Sequence, residues 1–169
     1  MKIRQANLAD LDAITTIEWE NFGPEEALSR EILEAHIQKL TTSFLVAERD
    51  GQILGYLEGP VRPERHLVDQ SFTSEVEDYS HLIGHYISLT SLSIAKNAQN
   101  MGLGRSLLNA MKDIAVRDQR LGINLTCHDY LVAYYEKHGF INEGVSQSTY
   151  AGEVWYDMLW KTPNSGEKN

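Results

Sequence analysis

The sequence has one cysteine, Cys127, in 169 residues. No internal disulfide can form, so a buried core has to hold the fold. No apolar run approaches the ~20 residues that a membrane-spanning helix needs. The stretch Met1-Lys2-Ile3-Arg4-Gln5 lacks the apolar segment of a secretory signal. A cytoplasmic protein that does not enter membranes is the expectation. Positive charge is also scarce, with 15 Lys and Arg against 24 Asp and Glu, a formal net charge of −9. That disfavours a nucleic-acid partner, which needs a basic face, and is compatible with a cationic ligand drawn in by the overall field. Acidity on this scale also simply aids solubility. The histidines show no zinc-ligand spacing, so no metal is expected. Repeats and low-complexity tracts are absent. Nothing decides between a monomer and a homodimer.

What is present is an ordinary globular composition, 42% hydrophobic and 23% charged, in a length that suits one domain. That domain is expected over residues 1–161, followed by a polar tail at 162–169. Lys2-Ile3-Arg4 reads as a first strand. Asn7 and Asp10 form a capping box before a helix carrying Leu8, Leu11, Ile14 and Ile17. Gly23-Pro24 breaks that helix, and Ser29 caps a second. Asp50-Gly51 marks a hairpin between two strands. Residues 60–84 show no clear period and read as a long connection with a short helix near residues 64–72. Residues 86–94 read as one strand. A helix over about residues 102–118, a strand at 123–127, a short helix at 130–137 capped by Gly139 and strands at 140–143 and 154–160 complete the pattern. This order predicts an α/β fold with a mixed sheet and helices on both faces.

The most informative segment is Gln99-Asn100-Met101-Gly102-Leu103-Gly104, between a strand and a helix. The first turn of a helix has backbone N–H groups without internal partners and carries partial positive charge. A pyrophosphate satisfies both needs. Gly102 and Gly104 let its oxygens approach the backbone, and Arg105 adds a cation. A P-loop would require Gly-Lys-Ser or Gly-Lys-Thr, which is absent. A dinucleotide fingerprint would require a third glycine where Leu107 stands.

This segment, preceded by Leu92-Ser93-Ile94, resembles the acetyl-CoA signature of the GNAT superfamily of N-acetyltransferases. Tyr134-Tyr135-Glu136-Lys137-His138-Gly139-Phe140 resembles the superfamily's Tyr-Glu-Lys-x-Gly-Phe segment at a fitting distance. Cys127-His128-Asp129-Tyr130-Leu131-Val132 looks like the Cys-Glu-Asp-Ala-Leu-Val run of the serotonin (arylalkylamine) N-acetyltransferases. Phe22-x-Pro24-Glu25-Glu26-Ala27 and Gly59-Pro60 look like bacterial relatives of that branch. The resemblance implies a GNAT-like fold whose central sheet, of about seven strands, is splayed at the cofactor site. It implies acetyl-CoA as co-substrate. Leu92, Ser93 and Ile94 would hold the pantetheine arm as an added strand, with the N–H near Leu92 polarising the thioester carbonyl. Residues Gln99, Asn100, Met101, Gly102, Leu103, Gly104 and Arg105 would hold the pyrophosphate. Tyr135 would lie near the sulfur.

Acetyl transfer to an amine needs a neutral amine, a donor to the oxyanion and a proton for the departing thiolate. A phenol with an ordinary pKa of about 10 suits the last role, and the motif position selects Tyr135 for it. The serotonin enzymes carry a His-x-His pair where this sequence has Ser88 and Thr90. These two share one strand face and are positioned to order water, but neither is a base at neutral pH. His81, His85, Glu58 and bulk solvent remain as alternatives. His128 stands where the branch has an acidic residue. Phe22, Pro24, Tyr86 and Tyr150 are candidates to line an acceptor pocket. Cys127 reads as packing. The expected function is acetylation of a small primary amine, with a protein or peptide N-acetyltransferase and a non-catalytic acyl-CoA sensor as alternatives.

Overall fold

The computed structural model describes residues 1–163. Of the tail expected over 162–169, residues 164–169 lie outside the described residues. Thr162 is buried, and its amide donates to the Leu121 carbonyl at 3.0 Å. The order of elements is β1 (Lys2–Gln5), α1 (Leu11–Glu26), α2 (Arg30–Lys39), β2 (Phe44–Arg49), β3 (Gln52–Glu58), β4 (Val61–Arg62), β5 (Tyr86–Leu89), β6 (Ser91–Ile94), α3 (Leu103–Arg117), β7 (Gly122–Cys127), α4 (Val132–Lys137), β8 (Ile141–Val145) and β9 (Tyr156–Lys161). The class is α/β with a mixed sheet, as expected. Strands lie in the order β1-β2-β3-β6 in one group and β4-β5-β7-β9-β8 in another. Only β5 and β7 run parallel; every other pair is antiparallel.

Local chemistry accounts for the element ends. The Asn7 side chain accepts from the Ala9 amide, and Asp10 accepts from the Asn7 amide, each at 2.9 Å, which closes the capping box. Gly23, at φ 69°, interrupts α1 just before Pro24. Ser29 Oγ accepts from the Ile32 amide and starts α2. Asp50 and Gly51 both have positive φ, the conformation of a tight hairpin turn.

Two expectations change. The helix anticipated near residues 64–72 shrinks to a single 3-10 turn at Asp69–Phe72. The Asn124 amide takes the carbonyls of Glu64 and Arg65, at 3.1 and 2.7 Å, so they are not free for helical bonds. The single strand anticipated over residues 86–94 is cut at Thr90 into β5 and β6. Its partner is cut opposite, at Gly59 and Pro60, because a proline has no N–H to give the ladder. Ser88 and Thr90 still donate to Pro60 O and Glu58 O, each at 2.8 Å, so the bent pair stays in contact. A Cβ on Gly59 would coincide with the Ser88 carbonyl, which makes glycine obligatory there. Counting each bent pair as one strand turns nine strands into the seven expected.

The sheet buries both faces. Leu45, Ala47, Leu57, Ile87, Ile123 and Leu125 pack on the α3 stripe of Leu107, Leu108, Met111 and Ala115. On the other side Phe44, Val46 and Tyr56 pack on Leu11, Ile14, Leu33 and Ile37 of α1 and α2. Leu67, Phe72 and Val76 fasten the long 60–84 connection to this second layer. Each such side chain contributes about 1.5–3 kcal/mol by leaving water. Among the described residues, no helix is long and apolar enough to cross a membrane.

Candidate active site

β5 stays beside β7 only as far as the pair Leu89 and Leu125. Past Thr90 the chain leaves with β3 as β6, while β7 continues to Cys127. The wedge between them is a cavity of about 210 Å³. Leu89 to Leu92 form one wall and Leu125 to His128 the other, with Leu131, Tyr135, Phe22, Phe72, Tyr150 and Trp155 completing the lining. None of its lining residues is a lysine or arginine.

Among the described residues, no strand pairs with the edge of β6 that faces this wedge. Ala95 donates to Leu54 on β3, so alternation turns the amides of Leu92 and Ile94 to the open edge and that of Ser93 to β3. Leu92 and Ile94 are thus set to pair with an extended ligand. Ser93 is committed inward, and its hydroxyl accepts from Asn21 Nδ2 at 2.7 Å. The same Asn21 amide also donates to Ile94 O at 2.7 Å, and Gln99 Nε2 reaches Ile94 O at 3.2 Å.

The loop into α3 is shaped for an anion. Asn100 and Gly102 take positive φ, 64° and 78°. No side chain caps α3, so the amides of Leu103, Gly104 and Arg105 have no helical acceptor. Leu103 turns its side chain into a small core with Leu54 and Ala98 and offers the loop only its backbone. Met101 and Arg105 are exposed. Gly104 lies against the Tyr134 hydroxyl, where a Cβ would collide. These features fit a pyrophosphate.

Tyr135, on α4, is buried against Cys127 and Phe140 and reaches the cavity. Its ring is held edge-on by Tyr134 and Phe140, with centroids at 5.1 and 5.7 Å. Burial, with smaller contributions from Tyr134 and Cys127, raises its phenol well above the ordinary value, so it carries its proton. Burial pushes the Cys127 thiol up to about 12, which leaves it inert as a nucleophile.

The sequence model of the acetyltransferase (GNAT) family matches residues 11–140. The chain belongs to that family. It is an acyltransferase by that membership. A comparison with curated protein sequences gave no match. Among solved structures, the GNAT-like decarboxylase GphF in complex with isobutyryl-CoA superposes at a TM-score of 0.82 and 17% identity, covering 96% of this chain and 100% of that one. Naa20 of Chaetomium thermophilum, in complex with a bisubstrate analogue, gives 0.71 at 18% identity, covering 98% and 88%. N-acetylglutamate synthase from Neisseria gonorrhoeae, with coenzyme A and N-acetyl-glutamate, gives 0.70 at 20% identity, covering 95% of this chain and 35% of that one. These likenesses are of the fold.

Within this GNAT fold the expected site residues separate. Phe22, Thr90, Leu92, Tyr135 and Tyr150 line the cavity. Ser88 does not: it is fully buried in β5 and its hydroxyl has no partner. Tyr86 is buried near the other end of β5, opposite Arg62 and Gly122 and away from the lining. Pro24 follows the break in α1 and is not among the lining residues. His81 and His85 flank Tyr79, at centroid distances of 6.4 and 5.9 Å, outside the cavity. Glu58 is wholly buried; its carboxylate accepts from Thr90 Oγ1 at 2.6 Å and faces His36 Nδ1 at 2.8 Å.

Other lining residues were given no role in the sequence reading. Glu18 is 2% exposed, and its carboxylate accepts from the Leu28 amide at 2.8 Å, the Ser91 hydroxyl at 2.6 Å and the Tyr56 hydroxyl. Burial raises its pKa, against the pull of these three donors. Its signal was periodicity: Leu11, Ile14 and Glu18 follow the i, i+3, i+7 stripe, which places a carboxylate on an apolar face. Glu26 and His128 meet at 2.9 Å from distant parts of the chain, and no sequence signal joins them.

Proposed function

We propose that the chain is an acetyl-CoA-dependent N-acetyltransferase that moves the acetyl group to a primary amine of a small molecule by direct attack in a ternary complex. The observation that carries this reading is the convergence, in one wedge, of the Leu92 edge, the protonated Tyr135 and a wall of aromatic and acidic side chains. Acetyl-CoA supplies the acetyl group as an activated thioester. The loop from Gln99 to Arg105 binds its pyrophosphate through backbone amides. Leu92 and Ile94 align the pantetheine arm, and the Leu92 N–H stabilises the oxyanion. Tyr135 gives its proton to the thiolate. Thr90 orders the floor of the cavity through Glu58. Ser88, sealed in the core, supports the strand rather than touching the reactants.

A small acceptor suits the fold because Phe72, anchored in the 60–84 connection, is part of the lining of a cavity of only about 210 Å³. The acceptor is an amine because the lining offers aromatic faces to a cation and holds no lysine or arginine to repel one. The Cys127 to Val132 run supports the arylalkylamine branch, and the cytoplasm is the proposed location. The test is thiol release from acetyl-CoA with a panel of free amines and of peptides, beside a thermal shift with CoA. Turnover on free amines is expected. Turnover on peptides alone would make the chain a peptide N-acetyltransferase, and a CoA shift with no turnover would make it a sensor.

A further inference from the structure

We infer that His128, held by Glu26, is the group that takes the proton from the acceptor ammonium. This rests on the amine-acetylating reading above. Glu26 Oε1 lies 2.9 Å from His128 Nε2, and both residues line the cavity. A carboxylate only accepts, so Nε2 carries the hydrogen and Nδ1 carries the lone pair. Nδ1 has no hydrogen-bond partner among the described residues. The ring is packed by Trp155, at a centroid distance of 4.3 Å, and by Tyr130, at 5.2 Å. Its plane is therefore fixed by stacking and its tautomer by the carboxylate. A base oriented by a third group is the arrangement that activates a nucleophile in many transferases and hydrolases. It fills the gap left by Ser88 and Thr90, which have no basic atom.

The surrounding groups agree with this role. Tyr150 donates its hydroxyl to the Glu26 carbonyl at 2.8 Å, which braces the end of α1 beside the imidazole. The cavity lining holds no lysine or arginine that would compete with the ammonium for the imidazole. Glu18 itself is occupied by three donors. Glu58 is behind Thr90, out of the cavity.

The protons balance as follows. The ammonium N–H bond breaks, its proton goes to His128 Nδ1, and the freed electron pair forms the bond to the acetyl carbon. The C–S bond then breaks, and the thiolate takes the Tyr135 proton. The second proton lost by the nitrogen restores Tyr135. The His128 proton leaves to solvent, the one proton released per turnover.

The experiment measures kcat, kcat/KM against pH, and acetyl-CoA affinity for the wild type, H128A, H128Q and E26Q with an amine that the wild type acetylates. H128A and H128Q should lose about 100-fold or more in kcat with unchanged acetyl-CoA affinity, in the range of general-base catalysis. Added imidazole should restore part of the H128A activity in proportion to its concentration. The acid limb of kcat/KM should vanish in H128Q and be altered in E26Q, where Nε2 loses its carboxylate partner. Activity of H128A within about threefold of wild type, or an acid limb unchanged in both variants, overturns the assignment while the amine-acetylating reading stands. A wild type that binds acetyl-CoA and acetylates no amine overturns both.

Discussion

The Tyr134 hydroxyl occupies the place where a side chain on Gly104 would begin. The helix that carries the proposed acid is thereby seated on the first turn of the helix proposed to receive the pyrophosphate. Gly104→Ala should force the two apart. Overpacking of this kind costs about 1–3 kcal/mol, and acetyl-CoA binding should weaken about tenfold. With the hydroxyl gone, the nearest tyrosine atom to the new Cβ is at 3.7 Å, an ordinary contact. The double variant Gly104→Ala/Tyr134→Phe should therefore recover most of both losses, measured by thermal unfolding and by titration with CoA.

Tyr135→Phe keeps the ring that packs against Phe140 and removes only the hydroxyl. Turnover should fall about 100-fold, while acetyl-CoA affinity stays within about twofold. Wild-type turnover in this variant would remove Tyr135 from the mechanism.

Glu18→Gln offers one acceptor oxygen where three donors converge, and its amide places N–H groups against hydroxyls or the Leu28 amide. A buried donor left without a partner costs about 1–3 kcal/mol. Denaturant unfolding should show that loss, and KM for the amine should rise more than KM for acetyl-CoA.

His36 lies fully buried between Glu58 and the Thr73 carbonyl, its two ring nitrogens at 2.8 and 2.9 Å from acceptors. Burial lowers its pKa and Lys39 adds a small push the same way, but Glu58 and the Thr73 carbonyl outweigh both and the net shift is upward from 6.5. The folded state then binds the proton more tightly than the unfolded chain. This stabilisation is complete below 6.5 and is lost as pH rises through the raised value. Thermal midpoints measured upward from pH 6.5 should decline, and His36→Gln should flatten that decline.

Local chemistry was readable and long-range pairing was not. The Asn7 and Asp10 box, the Asp50-Gly51 turn and the break at Gly23 follow from residues within a few positions of each other, and the structure has all three. The placement of the Gln99 to Gly104 turn between a strand and a helix was legible for the same reason, since its glycines sit beside the helix they start. The bend at Thr90 was hidden because its cause, Pro60, lies on another strand. Tyr86 was a pocket candidate as an aromatic residue beside the 60–84 connection, but it starts β5, at the end away from the cavity. Glu26 and His128, separated by 102 positions, become neighbours only through the fold.

The parallel pairing of β5 with β7 has a kinetic consequence. The β2 and β3 hairpin needs only its Asp50-Gly51 turn, whereas β5 can meet β7 only after the whole of α3 has crossed over. The wedge is the seam between the pair of β3 with β6 and the pair of β5 with β7. A ligand spanning β6 and the α3 loop on one side and Tyr135 on the other clasps that seam. Its stabilisation should appear as slower unfolding, with the refolding rate hardly changed.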